Sequence, residues 1–215
     1  MKANERLYNK LKQNFELPDT ASREKIDSIR MDSTEKYRRF QYLFAKVNSN
    51  SINLPNNYIG LHRGILQGVN KDMGVIDPNN CVVGTVILAS NNYAVVMSLL
   101  HMQSNVSAKI KKTGELGSVI WDGKDPSIIT LKEIPKSVKL AKGDSIITSG
   151  ITDRFPYGLL IGTVEEVGAE KSSNYHTIKL KTAVNFNNLQ FVEVINNLQK
   201  QELNELLKQA KKANE

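Results

Sequence analysis

Strict alternation in segment 176–184 constrains this chain most. His176, Ile178, Leu180, Thr182 and Val184 fall on one face, and Thr177, Lys179 and Lys181 on the other. Period two with one apolar face is the pattern of a half-buried antiparallel strand. Further β-rich runs recur at 44–49, 81–89, 93–100, 106–112, 117–121, 128–134, 145–151, 159–167 and 190–195. Turn chemistry separates them: Ser90-Asn91-Asn92, Thr113-Gly114, Asp122-Gly123-Lys124-Asp125-Pro126 and Ser172-Ser173-Asn174. Short strands with turns every eight to fifteen residues or so predict an all-β core, a sandwich or barrels. The stretch is long enough that two small barrels suit it better than one ten-stranded sheet. Strands do not alternate with long helices, which argues against a parallel α/β sheet.

The ends follow the helical period instead. Leu7, Leu11 and Phe15 repeat every four residues on a run of helix formers, and Pro18 stops that run. Segment 19–36 is almost wholly polar, with Ile26, Ile29 and Met31 as its apolar anchors. A stripe this narrow suits a coiled-coil seam, so Leu7, Leu11 and Phe15 are the candidate self-association residues. At the other end Leu203, Leu206, Leu207 and Ala210 mark an amphipathic helix, and Lys211-Lys212 suits its C-terminus. The expected organisation is helical or coiled-coil and linker over 1–41, β over 42–195, and a helical tail over 196–215.

Charge and cysteine narrow the function classes. The 215 residues carry 29 Lys plus Arg against 22 Asp plus Glu, a net charge of +7. The excess is spread along the chain and no basic run exceeds two residues, so nucleic acid is not an expected partner. One cysteine, Cys81, excludes an intramolecular disulfide and a Cys-rich zinc module. No apolar run approaches the length of a membrane span.

The one constellation with a catalytic look is Gly143-Asp144-Ser145. In trypsin-like proteases such a triplet carries the nucleophile, in the chain order His, Asp, Ser. His62 or His101, then Asp122, then Ser145 reproduce that order. But Ile146, Ile147 and Thr148 follow Ser145 as the start of a strand, and an oxyanion hole needs backbone N–H groups in a turn. Asp144 after glycine also suits a plain turn, accepting backbone hydrogen bonds, with Ser149 capping the strand end. A serine hydrolase using Ser145 is therefore the alternative, and a non-enzymatic protein is the expected reading. His62, His101 and His176 stand alone, without metal-ligand spacing, and His176 reads as a structural histidine. There is no phosphate-binding glycine loop, so no cofactor or metal is expected. Trp121 reads as a barrel-end plug more readily than a stacking platform. The glycines Gly74, Gly84, Gly143, Gly150 and Gly162 read as structural, letting a small barrel turn and close. In Phe155-Pro156-Tyr157-Gly158 the two aromatics sit at a turn, as an exposed binding edge or as a plug beneath the loop.

Those motifs also carry a family resemblance. The chain resembles the extracytoplasmic part of the MreC family of rod-shape-determining proteins from about Tyr42 to Val194. The matching blocks are Gly60 to Gly64, Asp72-Met73-Gly74-Val75-Ile76, Val83-Gly84-Thr85-Val86 and Gly117 to Gly123. The strongest are Lys142 through Gly150, which includes Asp144, Thr148 and Ser149, and Phe155 through Val164. The resemblance implies two small β-barrels like those of chymotrypsin-like proteases without a working triad, following a coiled coil. It also implies a non-enzymatic scaffold of cell elongation at the outer face of the cytoplasmic membrane, anchored by a transmembrane helix that this sequence lacks. Its implied partners are a second copy of itself, penicillin-binding proteins, MreD and MreB. The family pattern suggests a discontinuous first barrel, 42–76 plus 144–195, with the second, 77–143, inserted.

Overall fold

The structure, a computed structural model, describes residues 23–25, 39–168 and 174–212. Among them lie thirteen strands and one α-helix. In chain order these are β1 (Arg23–Lys25), β2 (Phe40–Asn50), β3 (Asn56–Leu61), β4 (Gly74–Ile76), β5 (Val82–Ala89), β6 (Ala94–His101) and β7 (Val106–Ile110). Then follow β8 (Leu116–Ile120), β9 (Ile128–Pro135), β10 (Ser145–Thr148), β11 (Leu160–Gly168), β12 (Tyr175–Thr182), β13 (Phe191–Asn197) and α1 (Lys200–Lys212). The Leu7, Leu11 and Phe15 stripe lies outside the described residues. No helix among the described residues is long and apolar enough to cross a membrane.

The strands close into two antiparallel barrels. Barrel A runs β2-β13-β4-β5-β6-β3 and closes where β3 returns to β2; β1 adds outside the start of β2. Barrel B runs β10-β11-β12-β9-β8-β7 and closes where β10 meets β7. The eleven-residue β2 serves two neighbours on one side, β1 through Phe40–Tyr42 and β3 from Val47 onward. Phe40 and Gln41 therefore belong to the barrel, not to the linker that the sequence placed before residue 42.

This pairing corrects the expected barrel boundaries. β5 pairs with β4 and β6, and β6 with β3, so the whole of 40–101 builds barrel A together with β13. β10, β11 and β12 pair with β7 and β9, so barrel B is one continuous insert from β7 to β12. The reason is local. Hairpin neighbours joined by short turns pair with each other before they seek distant partners. Two strands the sequence did not reveal, β3 and β4, supply the neighbours that β5 and β6 need.

Alternation builds the interior. In β12 Ile178 and Leu180 are buried while Lys179 and Lys181 face water. The register shifts between His176 and Ile178, and His176 is half-buried with its Nδ1 buried and without a hydrogen-bond partner among the described residues. The structural histidine expected there is therefore not a satisfied one. Side chains of both barrels form one continuous apolar core, from Val82 and Leu99 in barrel A to Ile129 and Leu180 in barrel B. Trp121 plugs barrel B, its indole N–H donating to the Asp125 carbonyl at 2.9 Å.

Candidate interaction site

The residues of the hydrolase alternative do not assemble. Ser145 opens β10 in barrel B and pairs with Thr163 of β11. His101 ends β6 of barrel A, where its Nδ1 accepts from the Gln103 amide at 3.0 Å and its Nε2 meets the Tyr58 hydroxyl at 3.1 Å. His62 stacks on Tyr93, with ring centroids 5.1 Å apart. Asp122 uses a carboxylate oxygen on the Lys124 amide at 3.1 Å. A general base must reach its nucleophile within hydrogen-bond distance, and each histidine ring is engaged elsewhere. Among the described residues no group of His, Cys, Asp and Glu could hold a metal ion.

The block 143–162 is instead a piece of backbone engineering. Thr148 is 1% exposed, and its hydroxyl donates to the Pro156 carbonyl at 2.6 Å while accepting from the Leu159 amide at 3.0 Å. This side chain closes the loop between β10 and β11 together with the Thr148 main chain, whose amide donates to the Leu159 carbonyl at 2.9 Å and whose carbonyl accepts from the Gly158 amide at 3.2 Å. Ser149 shares a 2.8 Å hydrogen bond with the Ser107 hydroxyl, fastening β10 to β7. Gly150, at φ 72°, leaves room for Tyr157, whose Cβ a side chain there would meet at 2.8 Å. Gly143 turns the chain before β10, while Gly84 and Gly162 lie within β5 and β11 against the backbone of the neighbouring strands. The Asp144 carboxylate accepts from the Ala141 amide at 2.9 Å. Asp144→Ala should cost about 0.5–1 kcal/mol, the worth of one exposed turn hydrogen bond. A denaturant titration checks this through a lower midpoint at unchanged slope.

The same loop joins the barrels. Phe155 is 4% exposed, and Pro156 is buried beside it. A Cβ at Gly74 of β4 would lie 2.5 Å from the Arg154 carbonyl and 2.6 Å from the Phe155 ring. Phe155 is therefore a wedge between barrels, so of the two readings of this loop Phe155 and Pro156 take the plug and not the exposed edge. Tyr157 and Gly158 stay exposed, with the Lys109 ammonium 5.7 Å from the Tyr157 ring centroid. A second junction forms where Cys81 bridges to Leu160 and the Leu160 amide donates to the Asn80 carbonyl at 3.3 Å. Asp77 holds that turn by accepting from the Asn79 and Cys81 amides at 2.9 and 2.8 Å. Burial, with the Asp77 carboxylate beside it, pushes the Cys81 thiol up to about 12 and keeps it inert.

What the sequence reading missed is the outer face of barrel A across β3, β6 and β5. Cross-strand pairs place Tyr58 beside Met97 and Met97 beside Thr85, then Gly60 beside Val95 and Val95 beside Leu88. The next row adds the stacked His62 and Tyr93. Leu88 is 63% and Tyr93 49% exposed. Ile65 and Leu66 extend the rim, held by amide bonds to the Ser90 and Asn91 carbonyls at 2.8 and 3.2 Å. None of these positions is a Lys, Arg, Asp or Glu. The contrast between barrels is large: 40–101 holds five Lys, Arg, Asp and Glu residues, and 106–182 holds twenty-one. Counting charge by barrel, not along the chain as a whole, would have exposed this asymmetry. Depletion of charge with exposed aromatics marks the centre of a protein–protein interface.

Two closed barrels, one of them with an exposed aromatic and aliphatic outer face, define a double-barrel β fold. A profile of the family "Rod shape-determining protein MreC, barrel core" matches residues 47–196. The chain belongs to the MreC family. It is 29% identical to the cell shape-determining protein MreC of Listeria monocytogenes over 89% of its own length and 65% of that protein. It thus spans just under two thirds of that relative. Solved structures agree in fold. MreC of Listeria monocytogenes superposes with a TM-score of 0.68 at 28% identity, covering 91% of this chain and 87% of that one. MreC of Helicobacter pylori, solved in complex with the penicillin-binding protein PBP2, superposes with a TM-score of 0.61 at 19% identity, covering 74% of this chain and 99% of that one.

Proposed function

We propose that this chain is an extracytoplasmic scaffold segment of the cell-elongation machinery. It docks a peptidoglycan-synthesising penicillin-binding protein on the outer face of barrel A. The uncharged surface built by Tyr58, Leu88, Tyr93, Val95 and Met97 carries the reading, since removing it from water costs no desolvation of charge. The Helicobacter pylori relative is named for a complex of that kind. Barrel B, rich in charge, keeps the assembly soluble and holds barrel A in place through the Phe155 wedge. Tyr157 offers a smaller contact on its surface. Self-association through Leu7, Leu11 and Phe15 belongs to the same proposal and rests on the sequence pattern alone. MreD, MreB and membrane anchorage enter through the family resemblance.

Biolayer interferometry against the penicillin-binding protein of its own organism tests this. Aromatic and aliphatic anchors at an interface centre are worth about 2 kcal/mol or more each. Leu88→Lys and Tyr93→Glu should each weaken binding at least about tenfold. Lys179→Glu, on barrel B, should leave the affinity unchanged. Equal affinity for all four proteins would remove barrel A from the interface.

A further inference from the structure

The chain leaves barrel A for barrel B at the end of β6, and the residue placed there is a buried histidine. His101 is 1% exposed. Its main chain pairs with Asn56 of β3, and its carbonyl accepts from the Ser104 amide at 2.8 Å. The next amide, Met102, donates to the Pro55 carbonyl at 3.1 Å. The ring completes the turn, because Nδ1 accepts from the Gln103 amide at 3.0 Å. An Nδ1 that accepts carries no proton, so the neutral ring holds its proton on Nε2. That proton points to the Tyr58 hydroxyl at 3.1 Å, and the Tyr58 ring lies edge-on over the imidazole with centroids 5.0 Å apart.

We propose that His101 is a pH-sensitive latch. Neutral, it ties the β6–β7 crossing and Tyr58 of the docking face to the end of β6; protonated, it releases the crossing. A proton added at Nδ1 would face the Gln103 N–H donor to donor, and a backbone amide inside a tight turn has no room to rotate away. Relieving that clash takes the ring away from the turn, and a ring that leaves its place also gives up the Nε2–H bond to the Tyr58 hydroxyl. The link to the docking face rests on the function proposed above; the latch at the crossing does not.

Among the described residues the ring has no ion-pair partner that would compensate a proton. From β3 the titratable group facing it is the Tyr58 hydroxyl, and its neighbours Asn56 and Asn57 are neutral. Met102, Gln103, Ser104 and Asn105 of the crossing are uncharged. The β8–β9 turn, which approaches Met102 through Gly123, carries Asp122, Lys124 and Asp125. None of these holds the ring: burial alone lowers His101 from the ordinary 6.5. The sign follows. A folded state that prefers the neutral ring gains stability above the unfolded value and loses it as pH falls through the lowered folded value.

The test is an NMR titration of the purified chain from pH 7.5 to pH 4.5, reading the His101 imidazole and the Gln103 amide. The imidazole should titrate below 6.5, and the Gln103 amide should lose at least about tenfold of its exchange protection in step with it. His101→Asn supplies a side-chain oxygen that can accept from the same amide and cannot titrate. It should hold that protection across the range. Binding to the penicillin-binding protein should weaken toward pH 5 in the wild type and stay level in His101→Asn. A His101 midpoint at or above 6.5, or a Gln103 amide indifferent to it, overturns the latch. The wild-type titration decides this even where the variant does not fold. An open latch with unchanged affinity overturns its coupling to Tyr58. A chain that binds no penicillin-binding protein at any pH, yet shows the coupled titration, supports the latch and fails the docking reading.

Discussion

Thr148→Val should lower the melting temperature by about 5–15 °C. The substitution keeps the volume and the branch and deletes one oxygen. That oxygen serves two buried backbone groups, the Pro156 carbonyl at 2.6 Å and the Leu159 amide at 3.0 Å. Leaving a buried polar group without its partner costs about 1–3 kcal/mol. Two such groups give about 2–5 kcal/mol, and about 1 kcal/mol moves a chain of this length by roughly 2–4 °C. Thr148→Ser keeps the hydroxyl and should lose only the packing of one methyl, about 1 kcal/mol. The order wild type, Ser, Val in a thermal melt checks the account. A valine variant as stable as the serine one would show that the loop does not depend on the hydroxyl.

Gly74→Ala strikes the wedge from the other side. The added methyl would sit 2.5 Å from the Arg154 carbonyl and 2.6 Å from the Phe155 ring. The ring can swing, but the carbonyl belongs to a loop that Thr148 closes. Overpacking of this kind costs about 1–3 kcal/mol, and more where backbone must move. We expect a loss near the top of that range, measured by urea unfolding. Phe155→Ala in the Gly74→Ala background should cost less than in the wild type, because the two residues share one space. Additive losses would mean that the barrels are not held together at this point.

These two positions also show how much of the fold the sequence carries. β12 is legible because its inner face fills a barrel and its outer face carries Lys179 and Lys181. β3 is hidden by Asn57, a fully buried polar residue that breaks the alternation. Its amide donates to the Leu100 carbonyl at 2.6 Å, and its side-chain oxygen accepts from the Leu54 amide at 3.0 Å. β4 is hidden because all three of its residues are buried, with Phe155 against Gly74, so no alternation remains. With both strands unseen, β5 and β6 lacked their neighbours and the barrel boundaries moved. The docking face is obscured in the same way. On β5, β6 and the turn between them the outward residues Leu88, Tyr93, Val95 and Met97 are as apolar as the inward ones, and period two disappears where two faces match. The turn chemistry around Asp144, Ser149 and Gly150 was legible because Gly, Asp and Ser have narrow backbone uses. The part of Thr148 was not, since its partners lie eight and eleven residues away in a loop.

Site-specific photo-cross-linking tests the central claim most directly. A benzophenone side chain placed at Leu88 on barrel A, or at Lys179 on barrel B, reports whichever surface lies against the penicillin-binding protein. The account predicts a cross-linked adduct from position 88 and none from 179, with the adduct at 88 lost when Tyr93→Glu is added. Adducts from 179 alone would contradict it and move the interface to the charged barrel.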